Sequence, residues 1–77
     1  MAAIVYFEKT LEDVDTVTYR YGDDEDDLED SFSIRKADRR LTGDPEKVPF
    51  YVQLALSGIM RGYREQGRWP ERGAGIT

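Results

Sequence analysis

The sequence predicts an α+β fold: a three-stranded antiparallel β-meander followed by one α-helix packed on the sheet, in the order βββα. Three observations lead there. Val48–Tyr63 is the longest apolar-rich run, and its spacing is helical. Thr16–Tyr21 alternates, with Val17, Tyr19 and Tyr21 on one side and Thr16, Thr18 and Arg20 on the other. Ala2–Phe7 and Ser31–Lys36 flank it as shorter strand candidates, set apart by polar turns. The chain divides into a meander (1–36), a connection (37–47), a helix (48–66) and a partly disordered tail (67–77), all in one domain.

Ala2–Phe7 is apolar on both alternating sets: Ile4 and Tyr6 on one, Ala3, Val5 and Phe7 on the other. A strand with water on one side alternates, so this one is expected to be covered on both faces or central in its sheet. Glu8–Asp15 carries the turn into Thr16–Tyr21, and the two strands pair as an antiparallel hairpin. Gly22 ends the second strand. The stretch Asp23–Asp30 then brings seven acids with only Leu28 among them. Like charges this dense repel in a compact element, so the stretch is expected to be a solvated turn. In Ser31–Lys36, Phe32 and Ile34 share one face and Ser33 and Arg35 the other. Asp44-Pro45-Glu46 resembles a capped first helical turn, but Pro49 removes a donor and pushes Val48 from helical angles. The main helix is therefore placed at 48–66, ending at Gly67.

On a helical wheel Val52, Leu56, Ile59 and Tyr63 form the stripe expected to face the sheet, with Val17, Tyr19, Phe32 and Ile34 opposite it. Phe50 and Leu54 fall on the other side, where a monomer places polar residues. Gly58 and Gly62, with Ala55, line one side of the helix with small residues. Two mid-helix glycines cost about 1 kcal/mol each relative to alanine, so close packing against the sheet or a bulky tyrosine is expected to offset them.

With 77 residues, the chain buries only about 60% of the surface its unfolded form exposes and is marginal alone. It has no cysteine and no histidine, which removes disulfides, thiolate sites, and the commonest zinc ligand and general base. A partner subunit is the remaining remedy. The start MAAIVYF lacks the basic opening of a signal peptide, and no apolar run reaches membrane-spanning length, so a cytoplasmic protein is expected. The net charge of −5 is unevenly spread: residues 1–30 carry eleven acids and two bases, residues 31–77 nine bases and five acids. The halves are expected to neutralise each other.

Four constellations bear on function. The acidic stretch Asp23, Asp24, Glu25, Asp26, Asp27, Glu29 and Asp30 is a candidate docking loop for a basic protein. It lacks the glycine and length of an EF-hand loop, so no metal site is assigned. The bases Arg35, Lys36, Arg39, Arg40, Arg61, Arg64 and Arg68 suit a nucleic-acid-associated regulator, against the long-range repulsion of an acidic chain. No nucleophile has a histidine to activate it, and the acids sit where nothing desolvates them, so neither catalysis nor a cofactor is expected. Finally, Phe50, Tyr51, Leu54 and Gly58 on the helix, and Ile4 and Tyr6 on the first strand, are the candidate interface of a symmetric homodimer. A tail folded back through Trp69 is the competing way to cover one of these patches.

A short tyrosine-rich hairpin, an acidic turn and a helix ending in Gly67-Arg68-Trp69-Pro70 resemble small uncharacterised acidic proteins of actinobacteria. The resemblance covers the general layout and implies no activity. The sequence thus points to a non-enzymatic protein-interaction module, expected to be homodimeric, with the nucleic-acid regulator and the acidic decoy as alternatives.

Overall fold

The structure, a computed structural model, describes residues 3–43 and 46–76. It contains β1 (Ile4–Glu12), β2 (Thr16–Gly22), β3 (Asp30–Arg35), α1 (Phe50–Gln66) and β4 (Arg72–Ile76). The fold is α+β, as the patterning predicts, but its order is βββαβ. The four strands form one antiparallel sheet in the order β3-β2-β1-β4. Within the segment expected to be a partly disordered tail, Arg72–Ile76 is therefore an edge strand. Its two glycines hide it from propensity; what seats it is the register on β1, running from Ile4↔Ile76 to Glu8↔Arg72. This pairing also makes β1 central, one of the two placements its double-sided apolar pattern allows, while the set with Ile4 and Tyr6 lies on the face without a helix.

The β1–β2 turn is closed locally. The Asp13 carboxylate accepts the amide hydrogens of Asp15 and Thr16, both at 2.8 Å. These bonds favour the charged form and hold the Asp13 pKa below its usual value. A bulge between Lys9 and Leu11 takes up the register shift of the hairpin. At the far edge, the Thr42 amide donates to the Ser33 carbonyl and the Arg35 amide to the Arg40 carbonyl. The 40–42 segment thereby covers part of the free edge of β3.

Helix α1 starts two residues later than the sequence places it. Pro49 remains extended, with φ −55° and ψ 150°, and its carbonyl accepts the first bond, from Gln53. The turn expected at Asp44-Pro45 lies outside the described residues. Gly67 ends the helix in the left-handed region, φ 73°, with its amide bonded to the Tyr63 carbonyl.

The core lies between α1 and one face of the sheet. Val5, Phe7, Val17, Tyr19 and Ile34 meet Leu54, Ala55 and Ile59, and Trp69 closes the end; Val52 is buried on the helix but outside this cluster. Phe32, Leu56 and Tyr63, three further members of the expected core, are partly buried against it. The buried arc of α1 is rotated from the expected stripe toward Ala55, Gly58 and Leu54. The cause is β4. Leu54, expected to face away from the core, is 8% exposed because the helix lies against that strand. A Cβ on Gly75 would overlap the Leu54 carbonyl, and one on Gly58 would stand 2.8 Å from the Ala74 carbonyl and 2.9 Å from the Phe7 ring. Gly58 thus meets the sheet, one of the two partners the sequence offers the small residues, whereas Gly62 meets the Pro70 ring in the connection to β4.

The buried Tyr19 hydroxyl donates to the Pro70 carbonyl at 2.7 Å, tying the chain between α1 and β4 to the middle of β2. Burial pushes its pKa well up. Trp69 packs on Tyr63 with ring centroids 4.9 Å apart, so the fold-back expected of this residue is present.

Candidate functional site: the open face of the sheet

Alternation sends Val5 and Phe7 toward α1, so Ile4, Tyr6 and Glu8 point away from it. The register adds their neighbours. Ile4 stands beside Ile76, Tyr6 beside Ala74 and Gly22, and Glu8 beside Arg72 and Arg20. The next rows on β2 and β3 are polar, with Thr18 bonded to Ser33 at 2.7 Å. One half of the open face is therefore an apolar patch made by β1 and β4. Ile4 is 38% exposed and Ile76 55%, while Tyr6 and Ala74 are half-buried.

A charged row borders the patch. Arg20 bonds to Glu8 at 2.7 Å. Arg72, beside Glu8 on the other strand, is exposed and has no ion pair among the described residues. The acidic loop forms the remaining border. It turns sharply, with the Asp27 amide on the Asp24 carbonyl and the Asp26 amide on the Asp24 carboxylate, both at 3.0 Å. It then folds back so that a Cβ on Gly22 would stand 2.9 Å from the Asp27 carbonyl and 3.4 Å from Leu28. Between loop and strands lies a shallow cavity of about 440 Å³, floored by Tyr6 and Ala74 and bordered by Glu8, Arg72, Glu25 and Asp26.

Asp23, Asp24, Glu25, Asp26, Asp27, Glu29 and Asp30 are all exposed, and no ion pair among the described residues reaches them. No three carboxylates among the described residues converge as a cation site. On its other side the loop approaches the helix start, where Tyr21 and Tyr51 border a second depression with Asp23 and Asp30. Burial, then the Asp30 charge, raises the Tyr21 pKa.

The candidate interface residues do not all belong together. Ile4 and Tyr6 lie on the open face. Phe50 and Tyr51 are 57% and 50% exposed at the start of α1, on a separate surface. Leu54 and Gly58 are buried against β4 and are removed from the candidate interface. The face instead gains Arg72, Ala74 and Ile76. Their period-two spacing is visible in the sequence, but the intervening glycines obscure it.

Among the described residues, ion pairs between the two halves of the sequence are confined to the opposite end of the sheet and leave the acidic loop out, so the expected neutralisation is local. Lys36 pairs with Glu12 at 2.7 Å, and Lys9 bridges Glu12 at 2.6 Å and Glu71 at 2.9 Å. Lys36 and Lys9 lower the Glu12 pKa, while Glu12 and Glu71 raise that of Lys9. The other candidate bases are dispersed. Arg35 bonds to Asp38 at 2.8 Å, and the Arg39 guanidinium lies 5.2 Å from the centre of the Tyr63 ring. Among the described residues, no helix is long and apolar enough to cross a membrane. No family model, characterised protein or solved structure matches the chain.

Proposed function

We propose that this chain is a non-enzymatic protein-interaction module that forms a homodimer through the open face of β1 and β4. One observation carries the reading. Ile4, Tyr6, Ala74 and Ile76 make a contiguous apolar patch on the face opposite the single helix. Burying such a patch against a second copy supplies hydrophobic stabilisation that a chain of this length is short of. The exposed Phe50 and Tyr51 are adjacent on one helix but flank no comparable sheet surface, which makes them the lesser candidate.

Light scattering across a concentration series tests the reading. Wild-type protein is expected to be dimeric at high micromolar concentration. Ile4→Asp with Ile76→Asp is expected to give a folded monomer, while Phe50→Asp leaves the dimer intact. A monomeric wild type, or a double variant that still dimerises, overturns it. A second reading, an acidic surface that docks a basic protein, is favoured by the exposed carboxylates of Asp23–Asp30, which no ion pair among the described residues reaches. Loss of partner capture after replacing those acids by serine, with the dimer unchanged, would support it.

A further inference from the structure

We infer that two copies of this chain associate face to face about a two-fold axis running parallel to the strands between β1 and β4. This rests on the homodimer proposed above and specifies its geometry. Such an axis preserves strand direction and exchanges β1 with the partner's β4. Each row of the register then pairs with itself: Ile4 over the partner's Ile76, Tyr6 over the partner's Ala74, and Glu8 over the partner's Arg72.

The three rows are complementary under this operation. In the first row an aliphatic side chain meets another. The second sets the largest side chain of the patch over one of the smallest, so Tyr6 has room above Ala74. The third sets a carboxylate against a guanidinium. Arg72 is exposed and without an ion pair among the described residues, although Glu8 is its cross-strand neighbour, because Glu8 is taken up by Arg20. The Arg20 bond takes Oε1 of Glu8, so the partner's Glu8, although likewise bonded to its own Arg20, keeps Oε2 for Arg72 and joins Arg20, Glu8 and the incoming arginine in one cluster.

The border of the face fits the same axis. The acidic loop rises on the β2 side, at Gly22, while β4 is the last strand on the other side. Exchange of β1 and β4 carries the raised loop of each copy past the edge of its partner's sheet rather than into the middle of it. An axis across the strands, over the Tyr6–Ala74 row, would instead lay Ile4 and Ile76 on Glu8 and Arg72, apolar groups on charges. Aligned strands are also the usual geometry of two sheets packed face to face.

Charge exchange between two chains tests the axis. Glu8→Arg and Arg72→Glu are made separately; both residues lie on the face opposite the core, so both variants are expected to fold, as checked by circular dichroism. Each homodimer then holds two like-charged encounters and is expected to be weakened about tenfold. An equimolar mixture restores opposite charges at both encounters. Native mass spectrometry, which separates the species by mass, is expected to show the mixed dimer in excess of either homodimer.

The outcomes separate the possibilities. A mixture without excess heterodimer means the repulsion acts within each chain, between neighbours on β1 and β4, and overturns the axis. Single variants that dimerise like wild type overturn it too, while leaving the dimer itself standing. A monomeric wild type overturns both the axis and the homodimer it rests on. As a second perturbation, Ala74→Leu fills the space assigned to the partner's Tyr6. It is expected to weaken the dimer at unchanged melting temperature of the monomer, and dimerisation at wild-type strength contradicts the geometry.

Discussion

Replacing Gly58 by alanine sets two effects against each other, and the structure decides which prevails. Intrinsic helix propensity favours alanine by about 0.8–1.0 kcal/mol at an interior position. The new Cβ, however, would lie 2.8 Å from the Ala74 carbonyl oxygen and 2.9 Å from a Phe7 ring carbon. The first neighbour is backbone, held by the β1–β4 ladder, and the second is a core ring that is 3% exposed and packs edge-on against Tyr19. Neither can yield without moving the helix or the strand. Overpacking of that kind costs about 1–3 kcal/mol, so the propensity gain is cancelled or reversed and Gly58→Ala is expected to lose up to about 2 kcal/mol net. In a domain of this size that corresponds to a melting temperature lower by up to roughly 16 °C. Gly62→Ala is the control. It gains the same propensity term, and its Cβ meets the ring of Pro70, at 3.1 Å, whose pucker can adjust, and the end of the flexible Gln66 side chain, at 3.8 Å. It is expected to lie within about 1 kcal/mol of wild type and above Gly58→Ala. Urea denaturation of both variants measures the difference. If Gly58→Ala gains the full propensity increment, α1 does not approach β4 as described.

Three further outcomes follow from the same packing. Ile59→Ala, at a fully buried site, is expected to cost about 2–5 kcal/mol, and Leu56→Ala less because Leu56 only borders the core; equal losses in denaturant melts would contradict the helix rotation. Tyr19→Phe is expected to cost about 1–3 kcal/mol by orphaning the Pro70 carbonyl, and to leave Trp69 more accessible to fluorescence quenchers. Lys36 and Lys9 hold the folded Glu12 pKa low, so this group adds stability above the ordinary glutamate pKa of about 4.3, lost as pH falls through the lower folded value. Lys36→Met is therefore expected to flatten the acid limb of the melting-temperature profile, and an unchanged limb would show that the pair contributes nothing.

The strands and helix that carry strong periodicity were legible before the structure: β2 from its alternation, α1 from its stripe, and the acidic loop from its charge. What escaped was β4. Its Gly-Ala-Gly stretch has little β-propensity, and its place is set by long-range pairing with β1, which no local pattern encodes. That one omission propagated. Without β4, the helical wheel sets Leu54 toward solvent and leaves Gly58 open to a partner, and the helix phase rests on its bulky residues alone. The double-sided apolar pattern of β1 was the signal that another strand belonged beside it. The same pattern places Ile4 and Tyr6 together on one face, which the structure leaves open, but half of that face comes from β4.

Backbone amide chemical shifts followed on dilution of the wild-type protein locate the surface on which a second copy binds. Concentration-dependent shifts are expected at Ile4, Tyr6, Glu8, Arg72, Ala74 and Ile76, with Phe50 and Tyr51 unmoved. Spectra that do not change with concentration, or changes centred on Phe50 and Tyr51, would contradict the open-face dimer.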